Sequence, residues 1–337
     1  MPDFLRRLLV PLVALAVAAS AVGPFRSVLA QPPLDNAPSV IPADRAGLKG
    51  MVSHWWDADQ YGRRFLDQYA QLGVTNVRLA VDWKAIEAAE GQRDFSRLDP
   101  IMAGFRDRGI EVVPVIATVP SWAALNPDEC ALRELVCLLD RDKGEDFRET
   151  MAQLVSRYPE VRRWEFWNEP EMWYAVRDPV DYEWWYRVFY RVVKEIKPSA
   201  RVAVGTLAGW PFFSRLSPDV PADAVSIHSY AGSSGDLLET DRIVRLHDGL
   251  VSRGRTIPIW LTEYGWDSKW MPNADRAKAI GWVFAWLLDH PYIELAHYHM
   301  LQDDEHGGCC FGIVGAAPDF APKQPAYDVF RSYLVGQ

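Results

Sequence analysis

Blocks of like charge are missing from this chain. Its 36 Lys and Arg are interspersed with 45 Asp and Glu, for a formal net charge of -9, and a chain without a basic cluster offers no footprint to a polyanion. Nucleic acid is therefore not an expected partner. No glycine-rich phosphate loop follows the first β-prone segment, which removes the main support for a nucleotide site. Internal repeats and low-complexity tracts are absent as well. Cysteine is sparse, at four residues. Their spacing fits no zinc pattern and no histidine stands suitably beside them, so no metal is expected there; no other cofactor is expected. Cys130 and Cys137 are close enough to staple a loop, while Cys309 and Cys310 could bridge each other or pair with the first two; spacing leaves the connectivity open.

The apolar run from Leu8 to Val22 is shorter than the roughly 20 residues of a membrane span. It follows Arg6 and Arg7 and precedes "SVLAQPP", which reads as an export signal over residues 1–30, with cleavage after Ala30 or, as a second option, after Ala21. The expected location is periplasmic or secreted, where disulfides form, with no stable membrane insertion after signal cleavage. Nothing fixes the oligomeric state, and a monomer is favoured.

What is present is an ordinary globular composition, 49% hydrophobic and 24% charged, with an excess of tryptophan at 15 residues. Residues 31–46 are rich in Pro and small polar residues and read as a linker. From 47 to 337, short β-prone runs alternate with segments of helical period. The strand candidates are 47–56, 74–83, 110–119, 162–170, 200–208, 224–232, 257–266 and 293–302, each followed by a helical stretch. Such alternation predicts one α/β domain, a (β/α)8 TIM barrel.

In a parallel barrel, polar residues at the C-terminal strand ends surround one mouth. Here those ends carry His54, Trp55 and Trp56; Arg78 and Trp83; Trp122; Trp167, Asn168 and Glu169; His228 and Tyr230; Glu263 and Trp266; Tyr298 and His299. Glu169 and Glu263 each follow a strongly apolar strand, the fourth and the seventh, and would face each other across the mouth. A retaining glycosidase needs such a pair, one carboxyl as acid and base, the other as nucleophile. Arg78 and Tyr230 would hold Glu263 ionised, and Glu169 is expected among apolar rings that disfavour its charge. Glu165 could aim inward lower in the barrel, and Glu171 is expected to be solvated. Trp184, Trp185, Trp282 and Trp286 fit helix packing. Trp55, Trp56, Trp122, Trp173, Trp210, Trp266 and Trp270 sit where sugar rings could stack. Asp303, Asp304, Glu305 and His306 read as a solvated loop rather than a metal site.

The segments "WNEP" at 167–170, "WLTEYGW" at 260–266, Arg78 in "VRLAVDW" and "HSY" at 228–230 resemble the signature set of the clan A retaining glycoside hydrolases, the 4/7 superfamily. The resemblance is greatest to family 39, with families 5 and 10 close behind. It implies Glu169 as acid/base, Glu263 as nucleophile, Asn168 on the substrate 2-hydroxyl, and Arg78, His228 and Tyr230 orienting the carboxylates. It further implies a carbohydrate substrate cleaved by double displacement. An endo-acting enzyme is the expectation, with an exo-acting β-glycosidase such as a xylosidase, or a non-catalytic carbohydrate-binding barrel of a polysaccharide export system, as alternatives. Clan members usually carry a tryptophan at the end of strand eight. This chain has none there, and Tyr298 is expected to take its place beneath the sugar, with Trp55, Trp122 and Trp266 as further binding rings.

Overall fold

The computed structural model describes residues 40–132, 137–172, 179–230, 237–303 and 310–336. Eight parallel strands close into a barrel in chain order: β1 (Gly50–Ser53), β2 (Asn76–Asp82), β3 (Glu111–Ala117), β4 (Arg163–Phe166), β5 (Arg201–Val204), β6 (Ala224–His228), β7 (Ile259–Tyr264) and β8 (Ile293–Tyr298). All eight fall within the segments whose pattern predicts strands. Among the described residues, no helix is long and apolar enough to cross a membrane.

Alternation along the strands sorts side chains between two layers. Residues pointing outward meet the helices. In Pro179–Ile196 the buried positions Tyr182, Trp185, Tyr186, Phe189, Val192 and Val193 recur at helical spacing. They pack on Trp164 and Phe166 of β4. The Tyr182 hydroxyl also lies 3.0 and 3.2 Å from the carbonyls of Phe166 and Gly205 and accepts from the Gly205 amide at 3.1 Å, tying the ends of β4 and β5 to this helix. Here glycine is obligatory, since a Cβ on Gly205 would lie 2.3 Å from the Trp167 carbonyl oxygen.

Inward-pointing residues fill the barrel in tiers. At the N-terminal end Arg163 reaches Glu111 at 2.7 Å and Glu294 at 3.3 Å, and Arg201 reaches Glu294 at 2.5 Å. The Trp260 indole also donates to Glu294, at 3.0 Å. Arg163 and Arg201 stand on β4 and β5 and Glu294 on β8, so these pairs cross the barrel and close its floor. Val113, Ala203, Ala224, Trp260 and Leu295, all fully buried, form a compact apolar tier. Above it come Arg78, Glu165, Thr262 and His297.

Order begins earlier than the composition predicts. Ala43–Leu48 forms a short 3-10 helix, and the Arg45 guanidinium donates to the carbonyls of Leu287, Leu288, His290 and Ile293. Ile41, buried and bonded to the Tyr333 carbonyl, and Arg45 thus anchor the end of the segment expected as a linker to the barrel. The carbonyls that Arg45 caps belong to the end of a helix and the start of β8, where no intrahelical donor remains. Residues 1–39 lie outside the described structure.

Candidate active site

The site is built from strand ends. β4 runs into a turn in which Trp167 (φ 70°) and Glu169 (φ 46°) both take left-handed backbone, and Met172 N–H closes it on the Glu169 carbonyl at 2.9 Å. Such conformations are uncommon for residues with a Cβ and persist where surrounding contacts over-determine them. On the opposite wall, the pairing of β7 with β8 shifts register between Leu261 and Tyr264. This irregularity breaks the in-and-out alternation. Thr262 reaches Glu165 inside the barrel, and Glu263, the next residue, also faces the interior and its mouth.

Arg78 joins these walls through the centre. Its Nε donates to Glu165 Oε2 at 2.6 Å, Nη1 to Glu263 Oε1 at 2.7 Å and Nη2 to Asn168 Oδ1 at 2.9 Å. Glu165 Oε1 accepts from the Thr262 hydroxyl at 3.1 Å. Both Arg78 and Glu165 are buried, so the pair is compensated by hydrogen bonds at nearly every polar atom. Glu263 Oε2 accepts from the Tyr230 hydroxyl. His228 Nδ1 lies 2.9 Å from Glu169 Oε1 and 3.5 Å from Glu263 Oε2, bridging the two carboxyl groups. One ligand atom from each of Glu169, His228 and Glu263 fits within 4.8 Å of the others. They form the one such metal-capable group among the described residues, and the Arg78 cation against Glu263 makes it a poor one for a second cation.

These contacts set the charge of Glu263. Burial works against its ionised form, but the fields of His228 and Arg78, with the Tyr230 hydrogen bond, outweigh it and hold the carboxyl well below the usual carboxylate range. A depressed carboxyl lends the fold stability that is present above its ordinary value near 4.5 and fades as pH falls below it. For Tyr230→Phe the expected result is a Glu263 titration moved upward, because the lost hydrogen bond favoured the anion. The check is the acid limb of a kcat/KM profile, which should shift to higher pH, with activity at the optimum down about 10- to 100-fold. An unmoved limb and unchanged rate would contradict this role. His228 is likewise tuned: burial disfavours its cation, yet Glu263 and the Glu169 hydrogen bond win and raise its pKa.

Of the side chains expected at the mouth, Arg78, Asn168, Glu169, His228, Tyr230 and Glu263 therefore come together. Glu169 has the His228 imidazole as its hydrogen-bond partner, 2.9 Å away. Trp122 stands at the rim, half-buried, its indole donating to the Glu87 carbonyl at 2.9 Å with the Lys143 ammonium over its ring. Three expectations are corrected. Trp266 is 2% exposed and donates to the Leu237 carbonyl at 2.9 Å, so it is packed beneath a loop and presents no face to a ligand. Tyr298 is wholly buried behind β8 against Phe330, where Arg276 donates to its hydroxyl. Strand alternation beyond the register shift at Glu294 explains this: Leu295 and His297 point inward, so Tyr298 must point outward, and His299 takes the inward place at the mouth. Glu171 is not a solvated carboxylate either. It accepts from the Leu207 and Ala208 amides at 2.8 Å each, fastening the loop after β4 to the loop after β5. The side chains of Trp55 and Trp56, and all of Trp173 and of residues 304–309, lie outside the described residues.

A disulfide links Cys130 and Cys137 with Cα atoms 4.6 Å apart. Cys310 is also disulfide-bonded, which rules out its pairing with either of these two. Asp303 pairs with Lys323 at 2.6 Å.

The sequence model of the family described as Cellulase (glycosyl hydrolase family 5) matches residues 39–298, from the segment ahead of β1 to the end of β8. Family 5 is one of the two families resembled next after family 39. No curated protein matches the chain. Among solved structures, it is similar to a family 39 glycoside hydrolase from the gut symbiont Bacteroides cellulosilyticus WH2, at 21% identity over 89% of this chain and 66% of that one, with a TM-score of 0.66. A β-glycosidase from Pyrococcus horikoshii matches at 15% identity over 89% and 96%, TM-score 0.64. An exo-β-1,4-mannosidase from Opitutaceae bacterium strain TAV5 matches at 16% over 85% and 58%, TM-score 0.62. At these identities the likeness is one of fold. The chain spans about two thirds of the length of the Bacteroides enzyme.

Proposed function

The chain belongs to glycosyl hydrolase family 5 and is a glycoside hydrolase, and from that premise we propose that it cleaves β-glycosidic bonds of a polysaccharide or oligosaccharide with retention of configuration. The observation that carries this reading is the spacing of Glu169 and Glu263, whose oxygens approach within 4.8 Å. Retaining enzymes place their carboxyl groups about 5 Å apart, whereas inverting ones leave about 6.5 Å or more for a water.

The division of labour follows from the two environments. Glu263, kept anionic by Arg78 and Tyr230, attacks the anomeric carbon as the bond to the leaving oxygen breaks. Glu169 passes a proton to that oxygen, so the leaving group departs as an alcohol and a glycosyl ester forms on Glu263. Water then attacks the same carbon, Glu169 takes the water's proton, and the Glu263 carboxylate is released. His228, hydrogen-bonded to Glu169 and close to Glu263, is the group through which the first change of charge is felt by the second. Asn168, oriented by Arg78, is left with its amide N–H groups for the sugar 2-hydroxyl.

Glu169→Gln is expected to lower kcat by about 10²- to 10⁴-fold on substrates with a poor leaving group. Aryl glycosides with acidic phenols should be spared in the first step. Added azide should restore turnover and yield the β-glycosyl azide, as product analysis by NMR would register. An α-azide, or equal losses for all leaving groups, would overturn the assignment of Glu169 as the acid/base.

For the mode of attack we favour internal cleavage. Trp122 at the rim and exposed Leu125, Met172 and Trp270 lie on the loops after β3, β4 and β7. Apolar positions spread around the mouth suit an extended chain better than one terminal sugar. Product sizes from a panel of polysaccharides decide between this and release of single sugars. Export to the periplasm or beyond is carried by the character of residues 1–30 and is tested by sequencing the N-terminus of the mature protein.

A further inference from the structure

The end of β8 presents a histidine to the reacting centre. His299 Nδ1 stands 3.9 Å from Glu263 Oε2, too far for a hydrogen bond but adjacent to the proposed nucleophile. Rings of Tyr230, His54 and Phe311 approach it edge-on, with centroids 5.9, 6.2 and 5.6 Å away, and hold it in one orientation. Its Nδ1 is buried with no hydrogen-bond partner among the described residues. About a fifth of the side chain is exposed (18%), which leaves Nε2 as the nitrogen on the open side. Glu263 does not need this imidazole as a hydrogen-bonding partner, since Arg78 holds Oε1 and Tyr230 holds Oε2. Burial pushes the ring's pKa down to about 4, so near neutrality it carries one donor and one acceptor and no charge.

We propose that His299 is a specificity-determining residue that hydrogen-bonds a hydroxyl of the sugar seated against Glu263, selecting the glycone by a polar contact rather than by stacking. A neutral imidazole beside an anionic carboxylate suits a hydroxyl; a glycone bearing its own carboxylate would meet the charge of Glu263 with no cation from β8 to offset it. This inference rests on the reading of Glu263 as the nucleophile. A site built to bond a hydroxyl discriminates against an analogue lacking it, because the site's polar atom is then left unpaired.

The test compares the full-length enzyme with His299→Phe and His299→Asn. The substrates are the 4-nitrophenyl β-glycosides of glucose, mannose, galactose and xylose, together with monodeoxy forms of whichever is cleaved best. The expected result is that His299→Phe loses about 10-fold in kcat/KM on the best glycoside. One monodeoxy form should react equally with wild type and variant, and His299→Asn should recover part of the loss. Unchanged selectivity across the panel, or an equal loss on every deoxy form with a lowered melting midpoint, would show His299 to be a packing residue and overturn the proposal. Glu263→Gln is run alongside: if it keeps full activity the reading beneath has failed, and if it is inactive while His299 variants keep wild-type selectivity, only this inference has.

Discussion

Glu263→Gln is expected to lower kcat by about 10⁴-fold or more while leaving saccharide binding near its wild-type level. The carboxamide is isosteric and can still accept from Arg78, so the braces inside the barrel survive. What is lost is the anionic oxygen, without which no glycosyl ester forms. Isothermal titration with an oligosaccharide product separates the two effects. Wild-type enzyme treated with a 2-fluoro glycosyl fluoride should gain one glycosyl mass, and the labelled peptide should contain Glu263. Undiminished hydrolysis by the variant, or a label on any other residue, would discard the assignment and return the carbohydrate-binding barrel as the better reading.

The second large effect concerns the fold. Arg78→Met should cost about 3–5 kcal/mol, since it strips a buried cation from between two carboxylates and leaves Glu165 facing an apolar tier without its partner. Chemical denaturation should register a fall of this order. A melting curve should show a drop of roughly 10 °C, taking the lower sensitivity of large domains. Arg78→Met/Glu165→Leu removes both members and should recover much of the stability but none of the activity, because Asn168 and Glu263 remain unsupported. A loss under about 1 kcal/mol in the single variant would mean that the pair is hydrated and contributes little.

Much of this architecture was legible in the residues. Each strand is a β-prone run and most of the helices show a 3.6 period, so the barrel follows from their alternation, although after β5 the helix is the single turn Trp210–Phe213, too short to show a period; the polar clusters at strand ends mark the mouth. The carboxylates stood out because each closes an apolar run. Other features escaped for definable reasons. Tyr298 and His299 are adjacent and both able to pack on sugar, and only the inward position of Leu295 four residues before His299 decides which of them faces the mouth. Trp266 lies in a loop, where no period assigns a side, and its indole found a carbonyl at Leu237. Glu171 was misplaced because its partners are backbone amides of the next loop, which no pattern of side chains reveals. Arg45 acts on the carbonyls of Leu287 through Ile293, more than 240 positions away, and a Pro-rich composition conceals such a tertiary anchor.

The arginine and glutamate pairs that seal the barrel floor bear on traffic through the site. With Arg163, Arg201 and Glu294 crossing one end and a fully buried apolar tier above them, the floor of the described barrel is closed, and the mouth at the strand C-termini is left to sugar, water and product alike. Under the double displacement we propose, the water that resolves the glycosyl ester arrives by the route along which the leaving group departs, so its entry waits on that departure. Any second sugar lingering there competes for the same ester, and the partition between hydrolysis and transfer becomes a matter of which molecule next fills the vacated half of the mouth.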